Sequence, residues 1–136
     1  MTEENDLAMS APAATGGLLF LASVPVHLLV SKDVSVAIAA VTLALIGGAY
    51  IGFGARAAVA RVFWIEFTGA VLFGLAALAG LVWHWIALPL GLALHAVWDM
   101  AHHRRTFGAP VPAWYISFCV VVDLAVAAFL VLLYAS

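Results

Sequence analysis

The chain has 136 residues, of which 67% are hydrophobic and only 9% are charged, and its mean hydropathy is +1.18. Soluble domains contain about 25% charged and about 45–50% apolar residues, so a water-soluble globule of this size could not bury so much apolar surface. The single cysteine, Cys119, excludes an internal disulfide framework, and the net charge of −2 with five scattered Lys and Arg residues excludes nucleic acid as a partner. The composition therefore predicts an all-α, polytopic integral membrane protein, folded as a helical bundle among membrane lipids.

Apolar segments follow one another along nearly the whole chain. A spanning helix needs about 20 mostly apolar residues, and the hydropathy pattern predicts five transmembrane helices, at residues 11–30, 34–54, 62–82, 85–103 and 113–134. Residues 1–10 form a short acidic N-terminal tail, and residues 11–136 form a single transmembrane domain. Only a tight aromatic turn around Trp83 and Trp85 separates the third span from the fourth, so four spans, one of them long and tilted or broken, is the alternative.

The positions of Lys and Arg in the short loops predict the orientation. Arg56 and Arg61 lie between the second and third spans, Arg104 and Arg105 lie between the fourth and fifth, and only Lys32 marks the other side. We therefore expect a cytoplasmic N-terminus and an external C-terminus in the bacterial cytoplasmic membrane. The acidic tail lacks the basic region of a signal peptide, so the first span is expected to remain in the mature protein.

The fourth span contains four polar residues within nine positions: His95, Asp99, His102 and His103. At about 100° per residue, Asp99, His102 and His103 lie at about 40°, −20° and 80° from His95. These side chains therefore form one stripe that covers about a quarter of the helix circumference. A carboxylate in the middle of a membrane costs about 2.5–3.5 kcal/mol, so Asp99 requires a partner.

Two further carboxylates are expected at the same depth in the membrane. At about 1.5 Å per residue, Asp99 lies roughly 7–8 Å inside the Arg104 boundary and His95 lies roughly 13–14 Å inside it. Glu66 follows Arg61 by five residues on the same side, and Asp123 reaches the level of His95 in the fifth span. Three helices are thus expected to bring carboxylates and imidazoles into one layer.

Imidazole and carboxylate are ligands that suit zinc and non-haem iron, and residues one helical turn apart can chelate one ion. We expect Zn²⁺, or alternatively Fe²⁺, with Glu66 as the catalytic base. The expected metal ligands are His95, Asp99, His102, His103 and Asp123. The alternatives are a structural hydrogen bond between His95 and Asp99, an interfacial position for His103, and an interhelical hydrogen bond for Asp123.

Residues 91–103, with their H-x3-W-D-x2-H-H pattern, are followed by Gly108-Ala109-Pro110-Val111-Pro112 and by a span that carries Asp123. This segment resembles the signature of a family of small, uncharacterised bacterial integral-membrane proteins, and Gly47-Gly48-Ala49-Tyr50 is a fainter upstream match. The family implies no established reaction. The helix is loosely similar to the histidine boxes of membrane hydroxylases and desaturases, and to the His/Asp sets of ceramidase-like membrane metallohydrolases. Five histidines are too few for the di-iron chemistry of membrane oxygenases.

The leading functional hypothesis is a metal-dependent intramembrane enzyme that hydrolyses a lipid or another apolar substrate near the cytoplasmic leaflet. A catalytic zinc activates a bound water, and a nearby carboxylate takes the proton. One alternative is a small transporter, which would have to be a homo-oligomer because the chain contains no inverted repeat. The other is a non-catalytic membrane assembly subunit whose polar cluster only fixes helix packing.

Overall fold

Five α-helices form the fold, in a computed structural model that describes the backbone of residues 2–136 and the side chains of residues 10–136. The all-α prediction is confirmed. A short 3-10 turn, His103–Arg105, lies between the fourth and fifth helices. The helices are α1 (Thr2–Leu29), α2 (Lys32–Arg56), α3 (Ala60–Val82), α4 (Ala87–Ala101) and α5 (Ala113–Ala135).

Four of these helices are long and apolar enough to cross a membrane, namely Ser10–Leu29 of α1 and the whole of α2, α3 and α5. The helical backbone of α1 begins at Thr2, so it includes the residues expected to form a tail. The apolar α4 has 15 residues, a length of about 22 Å. It is shorter than the predicted span, because a turn precedes it and His102 caps its C-terminal end. Pro89 lies in the first turn of α4, where backbone N–H groups have no partner within the helix.

Small residues allow neighbouring helices to approach closely. A Cβ atom at Gly47 of α2 would lie 2.6 Å from Cβ of Phe73 in α3, and one at Gly69 of α3 would lie 2.6 Å from Cζ2 of Trp98 in α4. Close contacts of this kind provide van der Waals packing energy between helices. At the centre of the bundle lie large apolar side chains that are almost completely buried, among them Leu43, Leu88, Leu92 and Leu130.

The bundle exposes apolar side chains to an extent that is unusual for a soluble protein. Every helix exposes large apolar side chains, including Leu18, Leu45, Leu72, Leu94 and Leu132, each more than half exposed. The buried polar and charged side chains are at most 6% exposed: His27, Ser35, Glu66, His95, Asp99, His102 and Asp123. An apolar exterior, together with several polar side chains buried inside the bundle, is compatible with an integral membrane protein.

The contact between α2 and α3 provides a matched test of this packing. We expect Gly47→Ala to lower the free energy of unfolding by about 1–3 kcal/mol, because the new methyl group overlaps Phe73. At the next residue, a Cβ atom on Gly48 meets no atom within 4 Å. Gly48→Ala is therefore expected to be neutral or stabilising by up to about 1 kcal/mol. Unfolding in mixed detergent micelles measures both, and equal effects of the two variants would contradict this packing.

Candidate functional site

Three acidic and imidazole side chains from two helices meet in the interior. His95 and Asp99 lie one turn apart on α4, Asp123 comes from α5, and all three are at most 1% exposed. One potential ligand atom from each residue lies within 4.8 Å of the others. Nδ1 of His95 is 2.7 Å from Oδ2 of Asp123 and 3.3 Å from Oδ2 of Asp99. Since Nδ1 has one hydrogen at most, it can donate to only one of these carboxylates, and the nearer one is Asp123.

A fourth residue, Tyr50 of α2, completes this cluster. Its hydroxyl group donates a hydrogen bond to Oδ1 of Asp99. The centroid of its ring lies 5.7 Å from that of His95 and 4.9 Å from that of His102. Tyr50 therefore fixes one oxygen of Asp99 and links the His95 cluster to the next polar group.

This next group is a buried pair formed by Glu66 of α3 and His102 at the end of α4. Oε1 of Glu66 lies 2.8 Å from Nε2 of His102 and accepts a hydrogen bond of 2.6 Å from the backbone N–H of Ala109. The other ring nitrogen of His102, Nδ1, lies 2.7 Å from the carbonyl oxygen of Trp98. Both ring nitrogens of His102 are thus used within the protein, and neither is free for a metal ion.

The Gly and Pro loop between α4 and α5 closes over this pair. Gly108 has a φ of +66°, a conformation that glycine adopts at little cost. A Cβ atom at Gly108 would collide with Oε1 of Glu66 and Nε2 of His102. Glycine at this position therefore allows the loop to reach the pair and to direct the Ala109 amide at the carboxylate.

Four buried side-chain polar atoms lack a hydrogen-bond partner within the described part of the chain, and all four lie in this region. They are Glu66 Oε2, His95 Nε2, Trp98 Nε1 and Asp99 Oδ2. Buried polar atoms are nearly always paired, since an unpaired one costs about 1–3 kcal/mol. One of these atoms, Asp99 Oδ2, faces Nδ1 of His95 at 3.3 Å. Imidazole and carboxylate are groups that bind divalent cations, so an ion held between these two atoms would supply the missing partner of Asp99 Oδ2.

The structure thus divides the six predicted site residues into two groups and one outlier. His95, Asp99 and Asp123 meet, whereas His102 pairs with Glu66 instead of joining them. His103 lies in the 3-10 turn and is partly exposed, and it is not part of the three-residue group. The helical phase that aligns His103 with His95 does not hold, because α4 ends at Ala101.

Sequence reasoning missed Tyr50 and the Ala109 amide. The depth argument could have found Tyr50, because Tyr50 precedes Arg56 by six residues, much as Asp99 precedes Arg104 by five. Its position in the faint upstream match is a second signal. No sequence signal identifies the Ala109 amide, because every residue except proline has such a group.

A cavity of about 380 Å³ lies next to Tyr50, at the end of the bundle where α2 ends and the 3-10 turn follows α4. Arg56 and Arg105 line it together with Phe53 and Val111. Phe53 and Val111 also pack against Tyr50, so a single layer of side chains separates the cavity from the residue that holds Asp99.

Comparison with known proteins gives a family but no relative of known activity. Neither a search of curated proteins nor a search of solved structures found a match. One family model matches residues 11–136, which include every helix in whole or in large part and all the site residues. The expected membership of an uncharacterised family is thereby confirmed: the chain belongs to DUF6010, a family of unknown function.

Proposed function

We propose that this protein is a metal-dependent intramembrane hydrolase that acts on a lipid or another apolar substrate. The observation that supports this proposal is the contact among His95, Asp99 and Asp123. One potential ligand atom from each residue lies within 4.8 Å of the other two, and all three side chains are buried. Uncompensated carboxylates in such a place are expensive. A divalent cation would offset their charge.

The three residues would hold Zn²⁺, or alternatively Fe²⁺, through one imidazole nitrogen and two carboxylate oxygens. The ion would replace the proton that His95 Nδ1 shares with Asp123 in the hydrogen bond of 2.7 Å. Tyr50 would orient Asp99 from outside the ligand set, as residues behind metal ligands commonly do. A bound zinc supplies an activated water and polarises the bond to be cleaved.

Glu66 is the candidate general base. Its Oε1 is held by His102 and by the Ala109 amide, which fixes the carboxylate, and its Oε2 has no partner within the described residues. In the proposed reaction Glu66 takes a proton from water, and the water oxygen forms a bond to the substrate carbonyl carbon. The bond between this carbon and the leaving group then breaks as Glu66 passes the proton to the leaving group. The cavity beside Tyr50, with Arg56 and Arg105 at its wall, provides a place for the polar part of the substrate.

We infer five membrane crossings, with the N-terminus in the cytoplasm. The register of α4 along α3 supports this count, because Leu88 lies against Gly80 at one end and His102 lies against Glu66 at the other. The short α4 thus runs beside most of α3 in the opposite direction. The excess of Arg at the Arg56 and Arg105 end supports a cytoplasmic position for the candidate site.

A second candidate function is a non-catalytic assembly subunit in which the polar residues only fix the helices. The hydrogen bonds from Tyr50 to Asp99 and from His95 to Asp123 favour it, because they join α2, α4 and α5 without any ion. In this case the purified protein would have no hydrolytic activity.

Hydrolysis in proteoliposomes tests the proposal. The protein is reconstituted with zinc in vesicles that contain either an ester-linked phospholipid or an N-acyl amide lipid, and released fatty acid is measured. We expect release from one of the two lipids, its loss with a chelator, and a decrease of about 10²–10⁴-fold in Glu66→Gln. Thr68→Ala is the matched control, because Thr68 is exposed on the same helix and bonds only the carbonyl of Trp64. If zinc-loaded protein releases no fatty acid from either lipid, the hydrolase proposal fails.

A further inference from the structure

A second buried polar cluster lies away from the His95 site, near the ends of α1 and α5 and the start of α2. Nδ1 of His27 lies 2.7 Å from Oγ of Ser35, and this Oγ lies 2.6 Å from the hydroxyl oxygen of Tyr134. His27 comes from α1, Ser35 from α2 and Tyr134 from α5, and all three are at most 6% exposed. The proposed hydrolase mechanism does not use any of them.

One arrangement of the hydrogens among His27, Ser35 and Tyr134 gives both hydroxyl groups an acceptor for their hydrogen. Among the residues whose side chains are described, Ser35 Oγ is the one hydrogen-bond partner of the Tyr134 hydroxyl, so the Tyr134 hydroxyl donates to Ser35. The Ser35 hydroxyl then donates to Nδ1 of His27. Since Nδ1 accepts, the neutral ring carries its hydrogen on Nε2, and this N–H makes no hydrogen bond to any described residue.

His27 also lines an apolar cavity of about 280 Å³ between α1, α2, α4 and α5. This volume is near the lower end of the range for small-molecule sites, about 300 Å³. Most of the wall is aliphatic, with Val26, Ile38, Leu92 and Val126 among its residues. Val26 is 46% exposed, so the cavity reaches the outer side of the bundle, where the lipid would be.

The other polar residues of the wall cannot serve a ligand as donors. The hydroxyl group of Ser23 donates to the carbonyl oxygen of Phe20, and that of Thr42 donates to the carbonyl oxygen of Ile38. None of the described residues that line the cavity is Asp, Glu, Lys or Arg. Among the described side chains of this wall, the His27 ring is therefore the one that can donate a hydrogen bond to a ligand. A charged ligand would lose its hydration here without a counter-ion.

We propose that this cavity binds a neutral, membrane-soluble molecule with a carbonyl group, whose oxygen accepts a hydrogen bond from Nε2 of His27 and whose apolar body packs against the aliphatic wall. This site is separate from the proposed hydrolase site. Neither proposal depends on the other.

Photolabelling with two matched probes tests this site. Proteoliposomes receive 2-dodecanone with a diazirine on its chain, or dodecane with the same diazirine but no carbonyl, and labelled residues are mapped by mass spectrometry. We expect the ketone to label the residues of the cavity wall about threefold to tenfold more than the hydrocarbon does. This ratio corresponds to the net free energy of one hydrogen bond. Excess unlabelled 2-dodecanone should remove this labelling.

Three variants separate the hydrogen bond from a merely structural role. His27→Phe keeps a ring next to Phe129 but has no N–H, so ketone labelling should fall to the hydrocarbon level. Tyr134→Phe is the matched control, because it removes the far end of the hydrogen-bond chain and leaves the His27 N–H in place. Ser23→Leu fills the cavity from its wall and should reduce labelling by both probes. Equal labelling by the two probes in the wild type, or ketone labelling that Ser23→Leu leaves unchanged, would overturn the proposal.

Discussion

Replacement of Glu66 by alanine is expected to lower the free energy of unfolding by about 3–5 kcal/mol, the cost of breaking a buried pair by removing one partner. The substitution leaves Nε2 of His102 and the N–H of Ala109 without an acceptor in a completely buried position. It also releases the loop at Gly108 and Ala109 from α3. Unfolding of the purified protein in mixed micelles measures the change, and hydrogen exchange at Ala109 should become faster.

Two variants define the cause of this loss. Glu66→Gln keeps an oxygen that can accept both hydrogen bonds at the position of Oε1 and loses only the charge, so its effect should be smaller than that of Glu66→Ala. Thr68→Ala, on an exposed position of the same helix, should change the free energy by no more than about 0.5 kcal/mol. A Glu66→Ala protein as stable as Thr68→Ala would show that the pair does not hold the loop.

Zinc is expected to stabilise the folded protein. Zn²⁺ is added to metal-stripped protein at 100 times the dissociation constant of zinc from the folded protein. The free energy of unfolding should then rise by about 2.7 kcal/mol. Asp123→Asn removes one of the two carboxylate charges beside His95, so the same zinc concentration should give a much smaller rise.

Asp33→Asn is the control that shows whether the effect of zinc depends on the site around Asp123. Asp33 is an exposed carboxylate in the first turn of α2, so this variant should respond to zinc as the wild type does. An equal response of Asp123→Asn and Asp33→Asn would place the stabilising ion elsewhere on the protein.

The sequence alone was enough to find the helices and part of the site. Hydropathy identifies apolar segments of spanning length because lipid tolerates few charged residues. The fixed rise of a helix then predicts which polar residues share a depth. Asp123 was expected at the level of His95, and the structure has these two side chains 2.7 Å apart.

The same helical arithmetic fails where the helix ends. His102 and His103 were aligned with His95 on the assumption that α4 continues, but α4 ends at Ala101 and a 3-10 turn begins at His103. Arg104 and Arg105 then have φ values of 60° and 58°, outside the helical region. No glycine or proline marks this change in the sequence. His103 therefore lies in the turn, whereas His102, whose backbone is still in the helical region, meets Glu66 of α3 instead of joining the His95 group.

Partners that come from distant parts of the chain could not be predicted from spacing. The Ala109 amide reaches Glu66 only because Gly108 allows the loop to fold over α3. His27 meets Ser35 across the turn between α1 and α2, and Ser35 meets Tyr134 from the other end of the chain. Such contacts depend on tertiary packing, which hydropathy and periodicity do not encode.

The metal content of the purified protein tests the central claim most directly. Elemental analysis of wild-type protein, purified without chelator and loaded with zinc before removal of excess ion, should give about one zinc or iron per chain. His95→Ala should give far less, while Thr68→Ala should match the wild type. A wild-type protein with no bound metal, or a His95→Ala protein with the wild-type amount, would contradict a metal centre at His95, Asp99 and Asp123.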